Sequence, residues 1–349
     1  MFSSQNSQVS NNVNYIEDVF STYLYTGNGS TQTINNGIDL AGKGGLVWGK
    51  SRSNAYDNFL ADSVRGISKL LYSNNTYYQQ TDATVFTAFN SNGFSLGAGG
   101  GAVSSNTNGA TYASWTFREQ PKFFDVVTYT GNDAANRQIS HNLGSVPGCI
   151  IVKATSTTGN WFVYHRSLGD WATNSPYAML LNTTGASTAY STFVGNPPTS
   201  TTFTVDGVGG SANASGQTYV AYLFAHDAGG FGLTGTDNVI SCGSFTNSGS
   251  TVNINLGYEA QFVLMKKSSG TGNWFLFDTM RGLSQTSFEF LYPNLSNAAE
   301  FKDYQGPYAT ATGFSFNPVN NGQFTTGDYI YIAIRRGPMA VPTLGTSVF

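Results

Sequence analysis

The chain repeats one sequence pattern three times, and this repetition restricts its fold more than any other feature. Two copies are clear: KATSTTGNW begins at Lys153 and KKSSGTGNW begins at Lys266. A weaker copy, LVWGKSRSNAYDNF, contains Lys50. Each copy follows a segment such as YTGN and precedes an aromatic segment such as TYVAYLF. Successive lysines lie 103 and 113 positions apart. That period is too long for a solenoid repeat or a propeller blade and matches a small domain of ~100 residues.

We therefore predict three modules in series, at residues 20–124, 125–231 and 232–340. A polar N-terminal segment, residues 1–19, precedes them, and a short C-terminal tail, residues 341–349, follows. Domains commonly contain ~100–150 residues. The repeat thus favours three separate hydrophobic cores over one core that includes all 349 residues.

The composition indicates an all-β protein. There are 41 Gly, 25 Phe and 20 Tyr but only 10 Pro. Aromatic residues fit pleated, half-buried surfaces, and Gly with Asn supplies turns. The segment TYVAYLF is apolar on both alternating faces, which predicts a central strand. We expect three tandem β-sandwich, jelly-roll-like modules of about seven strands each. The only segment that resembles a helix is NYIEDVFSTYLY near the N-terminus.

Low charge argues against two classes of function. The formal net charge is −3 and only 10% of the residues are charged, whereas nucleic acids and anionic membranes require clustered basic residues. No stretch approaches the ~20 apolar residues of a membrane-spanning helix, and no signal peptide is recognisable. We therefore expect synthesis in a cytoplasm without conventional export. The polar, aromatic-rich composition is nevertheless typical of extracellular display proteins. A virion protein released by lysis reconciles the two.

The repeated G-N-W sequence provides the candidate ligand-contact residues Asn160, Trp161, Asn273 and Trp274. An aromatic ring beside amide donors is the chemistry that recognises sugars, because C–H faces pack on rings and hydroxyls need polar partners. The alternative is structural: Gly-Asn forms a turn, Trp begins a core strand, and the preceding Lys holds its ammonium group in water. Because all three modules share the pattern, the structural interpretation is favoured.

No other motif predicts catalysis, a metal or a cofactor. The histidines lack the spacing of metal sites: His141, His165 and His226. His165 aligns with Asp278 of the third module and with Asp62 of the first, so the residue type is not kept. No paired carboxylate signature or GxSxG motif is present. Asp57 and Asp62 in the first module, and Asp278 near Arg281 in the third, are candidates for ion pairs. The glycine-rich segments 41–45 and 97–103 are the best candidates for a contact surface.

Several of these strings together resemble a known family. YTGN, IIVK, GNW, VYH, TYVAYLFAHD and YIAIRRGPMAVPT are similar to the module of structural proteins from phages of marine bacteria, including cyanophages. Those proteins are labelled tail-fibre-like or uncharacterised virion proteins. The resemblance covers the second and third modules and extends to the first. In similar proteins further sequence can follow the last of these strings, so we expect either a short member or a continuation.

The resemblance implies a location in the virion and a non-enzymatic role in the tail or a tail fibre, with host attachment as its purpose. The expected partners are other virion proteins, further copies of the chain as a homo-oligomer or trimer, and host surface polysaccharide. Neither nucleic acid nor membrane insertion is expected. Capsid decoration or a head fibre is the main alternative, since no heptad or triple-helical shaft is present. A polysaccharide depolymerase is a third, less favoured class.

Overall fold

The structure is a computed structural model that describes residues 13–98, 104–169, 177–189, 196–207, 212–303, 306–317 and 323–340. Within these ranges the chain is all-β, as predicted. The helix expected in NYIEDVFSTYLY is reduced to one 3-10 turn, Ile16–Asp18, and the segment continues as a strand. The tail 341–349, most of segment 1–19 and most of the glycine-rich segment 97–103 lie outside the described residues.

The strands fall into three consecutive groups, here called units 1, 2 and 3. Unit 1 contains β1 (Phe20–Thr26), β2 (Gln32–Asn35), β3 (Gly45–Ser51), β4 (Phe59–Asp62), β5 (Lys69–Tyr72), β6 (Gln80–Thr81), β7 (Phe86–Asn90), β8 (Gly93–Leu96) and β9 (Thr111–Arg118). Unit 2 contains β10 (Phe124–Thr130), β11 (Arg137–Ser140), β12 (Cys149–Ala154), β13 (Trp161–His165), β14 (Tyr177–Leu180), β15 (Thr188–Ala189), β16 (Thr202–Val205) and β17 (Thr218–Phe224). Unit 3 contains β18 (Ile240–Asn247), β19 (Val252–Asn255), β20 (Ala260–Lys267), β21 (Trp274–Asp278), β22 (Phe288–Leu291), β23 (Glu300–Lys302), β24 (Pro307–Thr310), β25 (Gly313–Phe316) and β26 (Gly327–Arg335).

Each unit contains a six-stranded antiparallel sheet, and the strand order is the same in all three. The orders are β1-β9-β3-β4-β5-β6, β10-β17-β12-β13-β14-β15 and β18-β26-β20-β21-β22-β23. The register also agrees: Tyr25 pairs with Tyr112, Tyr129 with Tyr219, and Phe245 with Tyr329. TYVAYLF is β17 and lies between two strands, so its predicted central position is confirmed. The shared register allows equivalent residues to be identified in the three units.

One face of each large sheet packs against a smaller sheet of the same unit. The smaller sheets are β2-β8-β7, β11-β16 and β19-β25-β24. In unit 1 the rings of Phe59 and Phe86 are 5.8 Å apart between their centroids. In unit 3 the rings of Phe245 and Phe316 are 5.0 Å apart. This arrangement is the expected sandwich, and it buries alternate residues of the central strands.

The opposite faces of the three large sheets meet in one central core. The Phe117 ring of unit 1 contacts Phe224 of unit 2 at 5.6 Å and Phe262 of unit 3 at 6.0 Å, measured between centroids. The buried cluster around them draws residues from all three units. The expectation of three cores in series is therefore wrong: unit 1 and unit 3 keep cores of their own, but all three units share the central one.

The two ends of the described chain contact each other. The Glu17 carboxylate accepts hydrogen bonds from the backbone N–H groups of Met339 at 2.9 Å and Ala340 at 2.8 Å. The Asn14 carbonyl accepts one from Gly232, in the connection between units 2 and 3, at 2.9 Å. The three units thus form a ring, in which each unit contacts both of the others.

The glycine of the YTGN sequence is required by close packing of two backbones. A Cβ atom at Gly27 would lie 2.3 Å from the Thr107 carbonyl oxygen, and one at Gly131 would lie 2.1 Å from that of Ala214. Both distances are far below van der Waals contact, so neither backbone could approach as it does with a larger residue. The repeated glycine therefore fixes the loop that follows β1 and β10.

The candidate site at the junctions between units

The three repeated lysines are buried where one unit meets the next. The Nζ atom of Lys50 donates to the Ser296 carbonyl of unit 3 at 2.7 Å, and that of Lys266 donates to the Thr184 carbonyl of unit 2 at 3.3 Å. Lys153 donates to a carbonyl within its own unit at 2.8 Å. The three side chains are inaccessible to solvent. The expectation that each ammonium group lies in water is therefore wrong.

Burial changes the acid–base chemistry of these lysines. Desolvation lowers the pKa of Lys50 from 10.5 to about 7, partly offset by the nearby Asp57 carboxylate. Desolvation likewise lowers the pKa of Lys153 and Lys266 to about 8 in each case. The charged form is penalised because backbone carbonyls replace only part of its hydration shell. Folding therefore disfavours the charged form of each of these lysines.

A second repeated contact lies eight residues after each lysine. Each side chain there donates from nitrogen to a carbonyl of the neighbouring unit: Trp161 to Tyr72 at 2.9 Å, Trp274 to Leu180 at 3.0 Å, and Asn58 to Tyr292 at 3.1 Å. The acceptors are equivalent positions at the ends of β5, β14 and β22. Unit 2 thus donates to unit 1, unit 3 to unit 2, and unit 1 to unit 3. The same joint closes all three junctions of the ring.

These contacts argue against ligand binding by the G-N-W residues, which was the less favoured of the two interpretations. Trp161 is 0% exposed and Trp274 is 2% exposed, so neither ring can stack on a sugar while the units are assembled. Their amide neighbours serve the same joint. Asn160 accepts from the Asn182 side chain at 2.9 Å and Asn273 from Asn294 at 2.8 Å, and these partners in turn accept from the tryptophan backbone N–H groups. The four residues have the structural role that the sequence favoured.

The indole hydrogen bond can be tested with a matched pair of variants. We expect Trp161→Phe to lower the free energy of unfolding by ~1–3 kcal/mol, because the carbonyls of Tyr72 and Asn75 lose their buried donor. Trp48→Phe is the control, since the buried Trp48 N–H has no partner among the described residues. Urea unfolding followed by circular dichroism measures both. Equal losses would show that ring volume, not the hydrogen bond, stabilises the junction.

A third repeated position stands twelve residues after each lysine and faces the central strand of the next unit. In unit 1 it is Asp62, which accepts from the Tyr222 hydroxyl of unit 2 at 2.8 Å. In unit 3 it is Asp278, which accepts from the Trp115 indole of unit 1 at 3.0 Å. Each carboxylate also forms a buried ion pair with an arginine three residues later, at 2.5 Å for Arg65 and 2.7 Å for Arg281. The predicted Asp278–Arg281 pair is confirmed.

Unit 2 has uncharged residues at the positions that the aspartate and the arginine occupy in units 1 and 3. Its equivalent residue is His165, whose Nε2 lies 3.1 Å from the Tyr331 carbonyl of unit 3. Burial lowers the pKa of His165 to about 4, so the ring is neutral near pH 7. The arginine position is Leu168, and the facing residue on the central strand of unit 3 is Ile332. The carboxylate, the guanidinium and the polar partner are thus all replaced together at this junction.

The described residues contain no group of three or more His, Cys, Asp or Glu side chains that could hold a metal ion. They also contain no helix that is long and apolar enough to cross a membrane.

Asp62, His165 and Asp278 align in the sequence repeat, whereas their partners on β9, β17 and β26 could not be identified from it. An alignment of repeats does not show which units are neighbours.

Comparison with known proteins places the chain in a family. Residues 16–338 match the family model described as Domain of unknown function (DUF7483), and the chain belongs to that family. No curated protein and no solved structure matches it. The match includes all three units, from the 3-10 turn to the residue before Met339. The family therefore corresponds to the whole ring.

Proposed function

We propose that this member of the family is a non-enzymatic structural protein of a phage virion, located in the tail or a tail fibre, where it contributes to host attachment. Its partners in this proposal are other virion proteins, further copies of the chain, and host surface polysaccharide. It is made in the host cytoplasm and released with the virion by lysis. The sequence resemblance described above supplies the location.

One observation carries the non-enzymatic part of the proposal: the repeated polar residues are used to join the units. The lysines, the G-N-W residues and the carboxylates Asp62 and Asp278 are buried and bonded across or beside the junctions. Catalytic groups need access to a substrate, whereas these groups hold three sheets in a fixed arrangement. Rigid spacing suits a protein that presents several weak contacts at once, because their affinities combine through multivalency.

Gold-labelled antibody against this chain, applied to intact virions, tests the location. Label on the tail or its appendages is the expected result, and purified protein should then compete with virions for adsorption to host cells. Label distributed over the head would replace the tail proposal with capsid decoration. That alternative draws on one observation: the described residues form a closed ring of sheets, and they contain no shaft. Virions without label would contradict both proposals.

The depolymerase alternative is tested separately. We expect no release of reducing sugar when host envelope polysaccharide is incubated with the protein at high concentration. The carboxylates of Asp62 and Asp278 each lie within an ion pair and a hydrogen bond to a neighbouring unit, which leaves neither positioned to protonate a glycosidic oxygen. Sustained sugar release that increases with protein concentration would contradict the non-enzymatic proposal.

A further inference from the structure

Each junction carries an equivalent backbone hydrogen bond beside the buried joint. The position two residues after the repeated lysine offers its backbone carbonyl to the neighbouring unit at every junction. Gln79 donates to Thr155 at 3.0 Å, Ser187 to Ser268 at 2.9 Å, and Ala299 to Arg52 at 2.8 Å. These three backbone hydrogen bonds show that the side chains at the junctions are comparable one by one. The differences among them are therefore informative.

Two of the junctions have an open surface groove lined by hydroxyl groups. The groove between units 2 and 3 has a volume of about 470 Å³, and the groove between units 1 and 2 has a volume of about 500 Å³. Side chains at four equivalent positions line the first, Ser244, Thr246, Ser268 and Asp328. The corresponding side chains of the second are Thr128, Thr130, Thr155 and Thr218. Seven of these eight side chains are thus hydroxyls.

The third junction has an ion pair where the other two have open space. Arg52 takes the position of Thr155 and Ser268, and its guanidinium binds the Glu289 carboxylate of unit 3 through two hydrogen bonds of 2.9 Å. Glu289 takes the position of Tyr177 in unit 2 and of Lys69 in unit 1. This pair joins unit 1 to unit 3 beside the equivalent backbone hydrogen bond. The other two junctions have Thr155 with Lys69 and Ser268 with Tyr177 at these positions, and neither pair is ionic.

The groove between units 2 and 3 contains three kinds of group that bind sugars: an aromatic ring, hydroxyls and a carboxylate. Tyr177 is 37% exposed at its wall and presents an aromatic surface. Among the described residues, the hydroxyls of Ser167 and Ser244 make no hydrogen bond within the chain, so both can donate and accept. The exposed Asp328 carboxylate accepts from the Thr246 hydroxyl at 2.7 Å through one oxygen, and no Lys or Arg among the described residues forms an ion pair with it. Rings bind sugar C–H faces, and hydroxyls and carboxylates bind sugar hydroxyls.

We propose that the two hydroxyl-lined grooves are binding sites for a neutral oligosaccharide, and that the Arg52–Glu289 pair closes the third. This inference rests on the proposed attachment function and assigns its ligand class and its site. A volume near 470 Å³ accommodates a few sugar rings. A neutral ligand matches the lining, because neither groove presents a cluster of like charges. Two equivalent sites on one rigid chain would also bind a repetitive polysaccharide more tightly than one site.

The third junction itself provides the variants that test this inference. Ser268→Arg with Tyr177→Glu would recreate the closing ion pair in the groove between units 2 and 3. Thr155→Arg with Lys69→Glu would do so between units 1 and 2. Saturation-transfer NMR with maltotriose, cellotriose and mannotriose as probes measures binding to the full chain. We expect at least one trisaccharide to bind, each double variant to lose about half of the signal, and the combined variant to lose at least tenfold.

A reciprocal variant guards against misfolding as an explanation. Arg52→Ser with Glu289→Tyr should open the third groove, and the number of sites measured by calorimetry should rise from two towards three. Circular dichroism checks that all variants stay folded. Unchanged binding in the combined variant, or no binding of any trisaccharide at millimolar concentration, would overturn the groove assignment. Virion labelling tests the attachment proposal independently. A labelled tail without sugar binding would contradict only the assignment of the grooves. Sugar binding without label on virions would contradict only the location in the virion.

Discussion

Replacement of Asp278 with Ala is expected to lower the free energy of unfolding by ~3–5 kcal/mol, the cost of removing one partner from a buried ion pair. The Arg281 guanidinium is buried, and its nearest anion is this carboxylate, at 2.7 Å. The same substitution removes the acceptor of the Trp115 indole N–H, which lies in the central core. With the backbone N–H of Arg281, which also donates to this carboxylate at 2.9 Å, three buried donors would thus lose their partner at the junction of units 1 and 3. Urea unfolding followed by tryptophan fluorescence measures the loss.

The junction between units 2 and 3 supplies the control for this prediction. Asp278→His combined with Arg281→Leu recreates the uncharged pair that His165 and Leu168 form naturally, and it leaves the buried Trp115 ring in place. Because this double variant leaves no charge unpaired and no cavity at Trp115, we expect it to be less destabilised than Asp278→Ala. If the double variant were the less stable of the two, burial of an unpaired charge would not be the main cost.

The protein is expected to become more stable as the pH rises from about 7.5 to about 9.5, which is unusual for a chain of low charge. The folded-state pKa values of the repeated lysines are about 7 for Lys50 and about 8 for Lys153 and Lys266, against 10.5 in the unfolded chain. In this window the unfolded state binds more protons than the folded state, so alkali favours folding. Each lysine adds about 1.4 kcal/mol per pH unit to the free energy of unfolding over the pH range in which it is charged in the unfolded chain and neutral in the folded chain.

Other groups define the limits of that window. Below pH 7, Glu119 acts in the opposite direction, because burial raises its pKa to about 7 and rising pH then disfavours the fold. Above about pH 10, tyrosines ionise in the unfolded chain. Burial raises the pKa of Tyr129 and Tyr222 well above 10, so the folded chain keeps those protons and loses stability. Stability should therefore pass through a maximum between these limits.

Lys153→Met isolates the contribution of one lysine. Methionine has a similar length without a charge, so this variant should be more stable than the native chain at pH 7.5, and its stability should rise less steeply with pH. Lys43→Met is the control, because Lys43 is exposed and its replacement should leave the slope unchanged. Thermal unfolding at intervals of half a pH unit measures both. A native slope that is flat, or that is unaffected by Lys153→Met, would contradict the prediction.

Local features of the fold could be predicted from the sequence because they depend on neighbouring residues. CIIVKA forms β12 and WFVYH forms β13, as their apolar and alternating patterns indicated. The common strand order follows from the repeat. The ring could not be predicted in this way. Contact between units depends on side chains such as Asn58 and Tyr292, which are 234 positions apart and carry no local signal.

The candidate site could likewise be predicted from the sequence only in part. The sequence identified Trp161 and Trp274 and favoured a structural role, but it placed the repeated lysines in water. A lysine after a buried strand usually extends to solvent. Here the neighbouring unit covers Lys50 and offers it the Ser296 carbonyl. The open grooves were also missed, because their hydroxyls come from two units and the Ser- and Thr-rich composition hides them.

Because Glu17 contacts Met339 and Ala340, the two ends of the described chain lie side by side. The units could therefore be linked in a different order along the chain and still have the same neighbours in space. A circularly permuted gene that joins residue 340 to residue 13 and opens the chain between β9 and β10 would encode the same three neighbours. Its product should bury the same junctions. Removal of any one unit, by contrast, would expose two junctions and the shared core at once, so a fragment of two units should be insoluble.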